Sequence, residues 1–361
     1  MLSKNTFIEV DYDQNRKAGY GCPGDIFLSK RIPSEGRIVC VLADGLGSGI
    51  KANVLATLTA TMAVSYISSD IDVKEASEII MSTLPVCSQR HIGYSTFTII
   101  DIQFDGQVRV IEYDNPPYML LRNGQSVDIE KNRITVTSQN QQKIDVWYST
   151  FNAEHGDRAV VFSDGISQSG MGTDTMPLGW GDNARKHAID LCLKDMSISA
   201  RSLSRNMVRK ALVNDSYKAK DDITCAAINF RQPRELLVVT GPPIDKARDA
   251  EIAAMIRDFP GKKIICGGTT ANIVSRQLNR EIEVVLNTAS EKVPPAAKMQ
   301  DVALITEGTL TLNEAADILE RGTNPETLYP DGAVKLVNNL LDSDMISFVV
   351  GTKINDAHQN P

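Results

Sequence analysis

Four aspartates in the first two thirds of the chain share a chemical setting: Asp25 in CPGDIF, Asp44 in VLADGLGSG, Asp164 in VVFSDGIS and Asp221 in AKDDITCAAI. Three of them border a short, β-branched apolar run that reads as a buried strand, where rigid backbone positions a side chain better than a loop does. Carboxylates placed this way suit hard divalent ions, because Mg²⁺ and Mn²⁺ take a few carboxylate oxygens and keep several waters. A single Asp-Gly is an ordinary turn dipeptide, and Asp105-Gly106 is read as only that. Order and flanks make the others specific: D-G-L-G-S-G opens an amphipathic helix, S-D-G closes a second apolar strand, and D-D-I-T opens a third.

Composition narrows the alternatives. With 361 residues, 42% apolar and 23% charged, the chain has the make-up of a folded protein of two domains. A net charge of −7 and the absence of a basic stripe argue against nucleic acid as the main partner. The N-terminus MLSKNTFIEVDYDQ has no signal-peptide core, and no run is read as the ~18 to 20 apolar residues of a membrane span, so a cytoplasmic protein is expected. Cys22, Cys40, Cys87, Cys192, Cys225 and Cys266 form no C-x-x-C pair and read as small buried thiols. His91, His155, His187 and His358 lack metal-ligand spacing, and neither G-x-S-x-G nor a Walker lysine motif occurs.

The elements that must hold the aspartates follow from periodicity. Arg37–Ala43 predicts a buried strand ending at Asp44-Gly45. A helix over 49–67 follows, with Ile50, Val54, Leu55, Leu58, Met62 and Tyr66 as its apolar face, and Asp72 as N-cap predicts a second helix through Leu84. From His91 to about Gln141 the pattern is β, with Asp105-Gly106 and Asn115-Pro116-Pro117 as hairpin and turn signals. A strand over 158–163, one helical stretch over 183–214 and a strand over 223–230 complete an α+β unit spanning 1–232 with a meander of strands. Beyond it, strands at 236–240, 263–266, 282–286, 302–306 and 346–350 alternate with helices at 244–259, 270–278, 312–321 and 332–341. This predicts a smaller doubly wound α/β domain over 233–361.

At the aspartates the chain resembles the PP2C-like (PPM) metal-dependent protein serine/threonine phosphatases, and among them the SpoIIE/RsbU branch. The resemblance covers about residues 15–230: Gly24-Asp25, the A-D-G-x-G-x-G start ending at Gly49, D-N-P-P-Y at Asp114–Tyr118, S-D-G at Ser163–Gly165 and D-D-I-T at Asp221–Thr224. It implies a β-sandwich with helices on both outer faces and two ions, Mn²⁺ or Mg²⁺, in a cleft at one end. By the same resemblance Asp44 bridges the ions, the Gly45 carbonyl binds one, Asp164 and Asp221 ligate the first and Asp25 holds the second, partly through water. Asp222 is the lesser candidate of its pair. Activated water would then attack phosphorus without a phosphoenzyme. The branch implies a phosphorylated signalling protein, of the anti-sigma antagonist kind, as substrate.

Two positions depart from that pattern. Leu46 stands where eukaryotic members carry a histidine after Asp-Gly, and no arginine is an evident phosphate clamp; Lys30, Arg31 and Lys51 read as solvated cations. In the second domain, Gly267-Gly268-Thr269-Thr270 before a helix is a candidate cradle for an anionic small molecule, against the reading as a routine turn. That domain, which lacks a carboxylate cluster, is expected to be regulatory or to bind a ligand or partner, with control from it or from homodimerisation. The competing reading of the whole chain is a catalytically weak phosphatase-fold scaffold or sensor, which four retained acidic positions disfavour because clustered carboxylates repel one another without cations.

Overall fold

The computed structural model describes residues 6–69, 71, 73–83, 95–137 and 143–353; the expected N-cap Asp72, and Cys87, His91 and His358, lie outside them. The chain divides into two compact units, Met1–Gln232 and Pro233–Pro361.

In the first unit the chain runs β1 (Phe7–Asn15), β2 (Asp25–Ile32), β3 (Arg37–Gly45), α1 (Ile50–Ser68), α2 (Val73–Thr83), β4 (Ser95–Gln103), β5 (Gln107–Tyr113), β6 (Met119–Arg122), β7 (Gln125–Val127), β8 (Asn132–Thr137) and β9 (Lys143–Asn152). It continues through β10 (Arg158–Phe162), α3 (Asp164–Ser167), α4 (Asp182–Lys194), α5 (Ala200–Asn214) and β11 (Ile223–Arg231). Two antiparallel sheets result, ordered β2-β3-β4-β5-β9-β8 and β1-β11-β10-β6-β7. Between them lies a core that includes Ile38, Cys40 and Leu42 from one sheet and Val161, Ile228 and Phe230 from the other. On the outer face of the first sheet Val39, Val41 and Ala43 meet α1 and α2. Successive side chains of β3 therefore enter different cores, both apolar. That is why the run from Ile38 to Ala43 is apolar throughout rather than alternating.

The helix after β3 turns only part of its expected apolar face inward: Met62 and Tyr66 pack against the core, the larger residues of the first turns do not. Ile50, Val54 and Leu58 are exposed, and the buried face consists of Ala52, Ala56, Thr59, Ala60, Ala63 and Ile67. Close approach decides this: a Cβ on Gly45 would stand 2.0 Å from the Ala52 carbonyl oxygen, so only small residues fit against the end of β3. Contrary to expectation, the stretch Ile50–Ile67 is long and apolar enough to cross a membrane by composition. Its alanine face packs on the sheet as a core helix does.

Three other expectations change. The single helix over 183–214 is two, because Ser199 accepts a hydrogen bond from Ser202 N–H at 3.1 Å and caps a fresh start at α5. Asn115-Pro116-Pro117 joins no hairpin: it carries the chain from β5 in one sheet to β6 in the other. Strands β1, β2 and β9, too polar to read as apolar runs, complete the sandwich through backbone pairing, β1 along its whole length with β11. Asp105-Gly106 is the turn expected between β4 and β5, with Gly106 at φ 102°. A buried ion pair ties the sheet to α1: Arg37 Nε and Nη2 donate to the two Asp101 oxygens at 2.6 and 2.8 Å, and Nη1 donates to the Ile67 carbonyl at 3.0 Å. Cys40, Cys192, Cys225 and Cys266 are buried free thiols, whereas Cys22, expected to be buried too, is a free thiol only partly covered in the loop before β2.

The second unit contains β12 (Glu235–Thr240), α6 (Asp249–Asp258), β13 (Lys262–Cys266), α7 (Gly268–Leu278), β14 (Glu283–Val285), β15 (Ala296–Met299), β16 (Val302–Thr306), α8 (Thr309–Glu320), α9 (Gly332–Leu341) and β17 (Met345–Val350). Its sheet is ordered β14-β15-β16-β13-β12-β17, with β16, β13, β12 and β17 parallel and an antiparallel margin from β14 and the unanticipated β15. Helices α6 and α7 share one core and α8 and α9 another, so the sheet is covered on both faces.

Candidate active site

Asp44 ends β3, Asp164 opens α3 and Asp221 precedes β11, and the three line one cleft of about 310 Å³. Gly45, Leu46, Gly47 and Ser48 form one wall, with Asp114, Asn115, Thr96 and Lys17 around the rest. The glycines of the two Asp-Gly pairs here are demanded by packing and not by a turn. A Cβ on Gly165 would lie 2.1 Å from the Asp222 carbonyl oxygen, as one on Gly45 would collide with α1. Each pair is thus pressed against a neighbouring backbone, which fixes where its carboxylate emerges.

Asp25 stands directly across from Asp44 in the β2–β3 register and is 1% exposed. Thr224 Oγ1 donates to its Oδ2 at 2.7 Å, and Gln14 Nε2 steadies the pair by donating to the Asp25 carbonyl and to Thr224 Oγ1, both at 2.9 Å. Asp25 Oδ1 is buried with no hydrogen-bond partner. Asp222 points elsewhere: it accepts the Lys17 N–H at 2.9 Å and braces the chain at Gly24. Asp221 faces the cleft, with Lys17 Nζ 3.6 Å from its Oδ1, and Gln168 Nε2 donates to Asp164 Oδ2 at 2.7 Å.

Burial is the main cause that raises the carboxyls of Asp25, Asp44 and Asp164, and like charge adds to it. Asp25 is pushed up to about 7, with Asp222 and Asp164 adding to burial and nearby hydroxyls opposing it. Asp164 rises to about 6 through burial and the charges of Asp221 and Asp114. Asp44 lies well above the usual carboxylate range through burial and then Asp25, Asp164, Asp221 and Asp222. Among the described residues no three His, Cys, Asp or Glu side chains already stand close enough to hold an ion. The donor set nevertheless fits a hard cation: oxygen donors only, mutually repelling, with one buried oxygen unpartnered.

Residues 34–231, more than half of the chain, match the family described as Stage II sporulation protein E (SpoIIE). The chain belongs to the SpoIIE family. Its fold is like that of the PP2C phosphatase domain with a fragment of the regulatory domain of SpoIIE from Bacillus subtilis, at a TM-score of 0.52 and 18% identity over 64% of this chain. The chain spans 65% of the length of that structure. Also similar are the RsbU and RsbW domains of Rv1364c from Mycobacterium tuberculosis (TM-score 0.46, 18% identity, 71% of this chain and 68% of that one) and RsbX in complex with magnesium (0.43, 20%, 64% and 98%). No curated protein matches the chain.

The sequence of this SpoIIE-family unit predicts that Asp25, Asp44, Gly45, Asp164 and Asp221 share one pocket; the structure lines the cleft with Asp44, Gly45, Asp164 and Asp221 and sets Asp25 behind Asp44, because the β2–β3 register buries it there. Sequence reasoning does not single out Lys17 or Asp114 as cleft residues, nor Gln168 as the partner of Asp164. Asp114 lies in the D-N-P-P-Y segment at φ 55°, a left-handed conformation that Asp tolerates better than most residues. Lys17 carries no motif; pairing of β1 with β11 delivers its neighbourhood to Asp221 and Asp222. In the second unit Gly267 has φ 126° and precedes α7, whose start has no side-chain cap. Thr270 is 1% exposed, its hydroxyl unpartnered and 3.7 Å from where a Cβ on Gly267 would lie.

Proposed function

We propose that the SpoIIE-family unit is a metal-dependent phosphatase that hydrolyses phosphoserine or phosphothreonine on a signalling partner protein of the anti-sigma antagonist kind. One observation carries this reading: Asp44, Asp164 and Asp221 converge on one cleft, and Asp25 is paired behind Asp44 with an unpartnered oxygen. Asp44, Asp164, Asp221, the Gly45 carbonyl and Asp25 would hold two Mn²⁺ or Mg²⁺ ions. When bound, such ions lower the pKa of water and neutralise charge on a phosphoryl group. The chain's own groups do the rest. Lys17 Nζ presents the cleft with a cation that can bind a phosphoryl oxygen, and Gln168 orients the Asp164 carboxylate. Leu46 offers no proton, so within Gly45–Ser48 only the Ser48 hydroxyl can serve a leaving group.

Turnover of p-nitrophenyl phosphate and of a phosphothreonine peptide, with and without Mn²⁺, tests the reading. Mn²⁺-dependent hydrolysis abolished in Asp44→Asn supports it; metal-independent turnover or an unaffected variant overturns it. No turnover, with no Mn²⁺ bound, favours the scaffold.

For the second unit we propose an anion-binding role at Gly267–Thr270. The support is an uncapped start of an 11-residue helix joined to the buried, unpartnered Thr270 hydroxyl aimed at Gly267. The neighbouring start of α8 is different, because Glu307 already accepts the Leu310 N–H at 2.9 Å. Calorimetry of the full chain with inorganic phosphate and with nucleotides should give heat that Thr270→Val removes. No heat at millimolar ligand overturns it.

A further inference from the structure

The carboxylate cleft continues into two larger cavities along the same wall. The nearer, of about 660 Å³, shares Asp114, Asn115 and Asp164 with the cleft and adds the half-exposed Trp147. The farther, of about 730 Å³, shares Pro116, Pro117 and Lys131 with the nearer and is walled by Leu120, Val127, Ile129 and Phe162. A phosphate ester engaging the carboxylates fills only the 310 Å³ cleft, so most of this trench lies beyond the reach of a small substrate.

The dividing wall is rigid. Pro116 and Pro117 have fixed φ and no N–H. Asn115 is held from both sides, accepting from Thr96 Oγ1 at 2.6 Å and donating to Thr98 Oγ1 at 3.2 Å. The buried Glu112 carboxylate accepts the Tyr118 N–H at 2.6 Å and pairs with Lys131, whose ammonium sits 4.8 Å from the centre of the Tyr118 ring. Arg185 Nη1 donates to the Pro117 carbonyl at 3.0 Å. A site held in shape by such contacts pays little ordering cost when filled, and its far end is mostly apolar with Lys131 already neutralised.

Resting on the phosphatase reading above, we infer that the trench seats the polypeptide flanking the phosphoresidue, and that the far cavity takes one apolar side chain of the substrate protein. Its occupant is a peptide because the trench adjoins the reacting centre, and apolar because Leu120, Val127, Ile129 and Phe162 supply much of the far wall, with Asp128, Asp182 and Arg185 also on it. One methylene more or less in such a pocket shifts kcat/KM by about 10- to 200-fold. Val127, at the end of β7, sits on its wall and touches none of the carboxylates assigned to the ions.

The test is a set of phosphothreonine peptides carrying Leu, Phe, Ala, Asp or Lys at each flanking position, assayed with Mn²⁺ on the full chain. Kinetics are normalised to p-nitrophenyl phosphate. The expected result is a preference of about tenfold or more for Leu over Asp at one position, erased in Val127→Trp and moved towards Phe in Val127→Ala. The second variant keeps the test sharp if the larger side chain disturbs folding. Turnover of p-nitrophenyl phosphate with no positional preference, or a preference that neither variant alters, overturns this inference alone. Absence of any metal-dependent turnover overturns the phosphatase reading and this inference with it.

Discussion

Asp25 and Asp44 are direct partners across the antiparallel β2–β3 ladder, two carboxylates where like charges oppose each other on neighbouring strands. Such a pair destabilises a sheet unless something neutralises it. Both residues carry raised pKa values chiefly through burial, with the charge of Asp25 adding at Asp44. The arrangement costs stability that a bound cation would return, and the same relationship governs most of the expected behaviour of the site.

Asp25→Asn and Asp44→Asn should each raise the melting temperature of the metal-free protein by removing one charge from the pair. Each should also remove most of the stabilisation that Mn²⁺ confers on the wild type. Thermal melts with chelator and with excess Mn²⁺ read both effects. A cation that stabilises wild type and Asp44→Asn equally would show that the ion binds elsewhere.

The pH dependence has a definite sign. Asp25 is raised to about 7 and Asp164 to about 6 from an unfolded value near 3.8, so the folded state holds these protons more tightly than the unfolded chain does. Their contribution is complete below about pH 4 and is lost as pH climbs through 6 and 7. Urea midpoints of the metal-free protein should therefore fall between pH 5 and 8 relative to Asp25→Asn. Saturating Mn²⁺, which binds the ionised form, should reverse the trend.

Neighbouring aspartates should part company. Asp221→Asn, at the cleft, should cut metal-dependent turnover by about two to three orders of magnitude, the scale seen when one group that stabilises developing charge is lost, with little change in folding. Asp222→Ala, which removes the brace on Lys17 and Gly24, should lower the melting temperature as well. Kinetics and melts on the two purified variants decide between these roles.

Gly45→Ala places a methyl group 2.0 Å from the Ala52 carbonyl oxygen and must shift α1 away from β3. A loss of about 1–3 kcal/mol is expected from overpacking, together with lost activity, since Asp44 is adjacent. Asp101→Ala removes the two short hydrogen bonds to the buried Arg37 guanidinium, leaving it the Ile67 carbonyl and the partly exposed Glu35, and should cost about 3 kcal/mol. Its effect on turnover should be smaller, and chemical denaturation beside initial rates measures both.

Much of the site was legible in the chain because local grammar encodes it. Asp44 and Asp164 follow apolar runs that can only be buried strands, and the glycine after each carries a close approach that no other residue permits. Asp221 stands just before the apolar run of β11, the last strand of the first unit. The two-layer alternation of β3 likewise shows in six consecutive apolar residues, Ile38–Ala43, and the change of grammar after residue 232 shows in the regular alternation of strands with helices.

What the sequence could not supply was anything set by pairing between distant segments. Nothing in FIEVDYDQN announces that β1 lies along β11 and brings Lys17 to the cleft. The direct opposition of Asp25 and Asp44 likewise depends on the β2–β3 register. Composition also misled on the first turns of α1, where large side chains outlined one face and alanines formed the buried one, because distance to the sheet, not hydrophobicity, set the choice. Residue type and spacing determined which carboxylates could bind and the strands that carry them; only tertiary packing decided which oxygens meet, since strand register and helix approach are fixed by contacts between residues far apart along the chain.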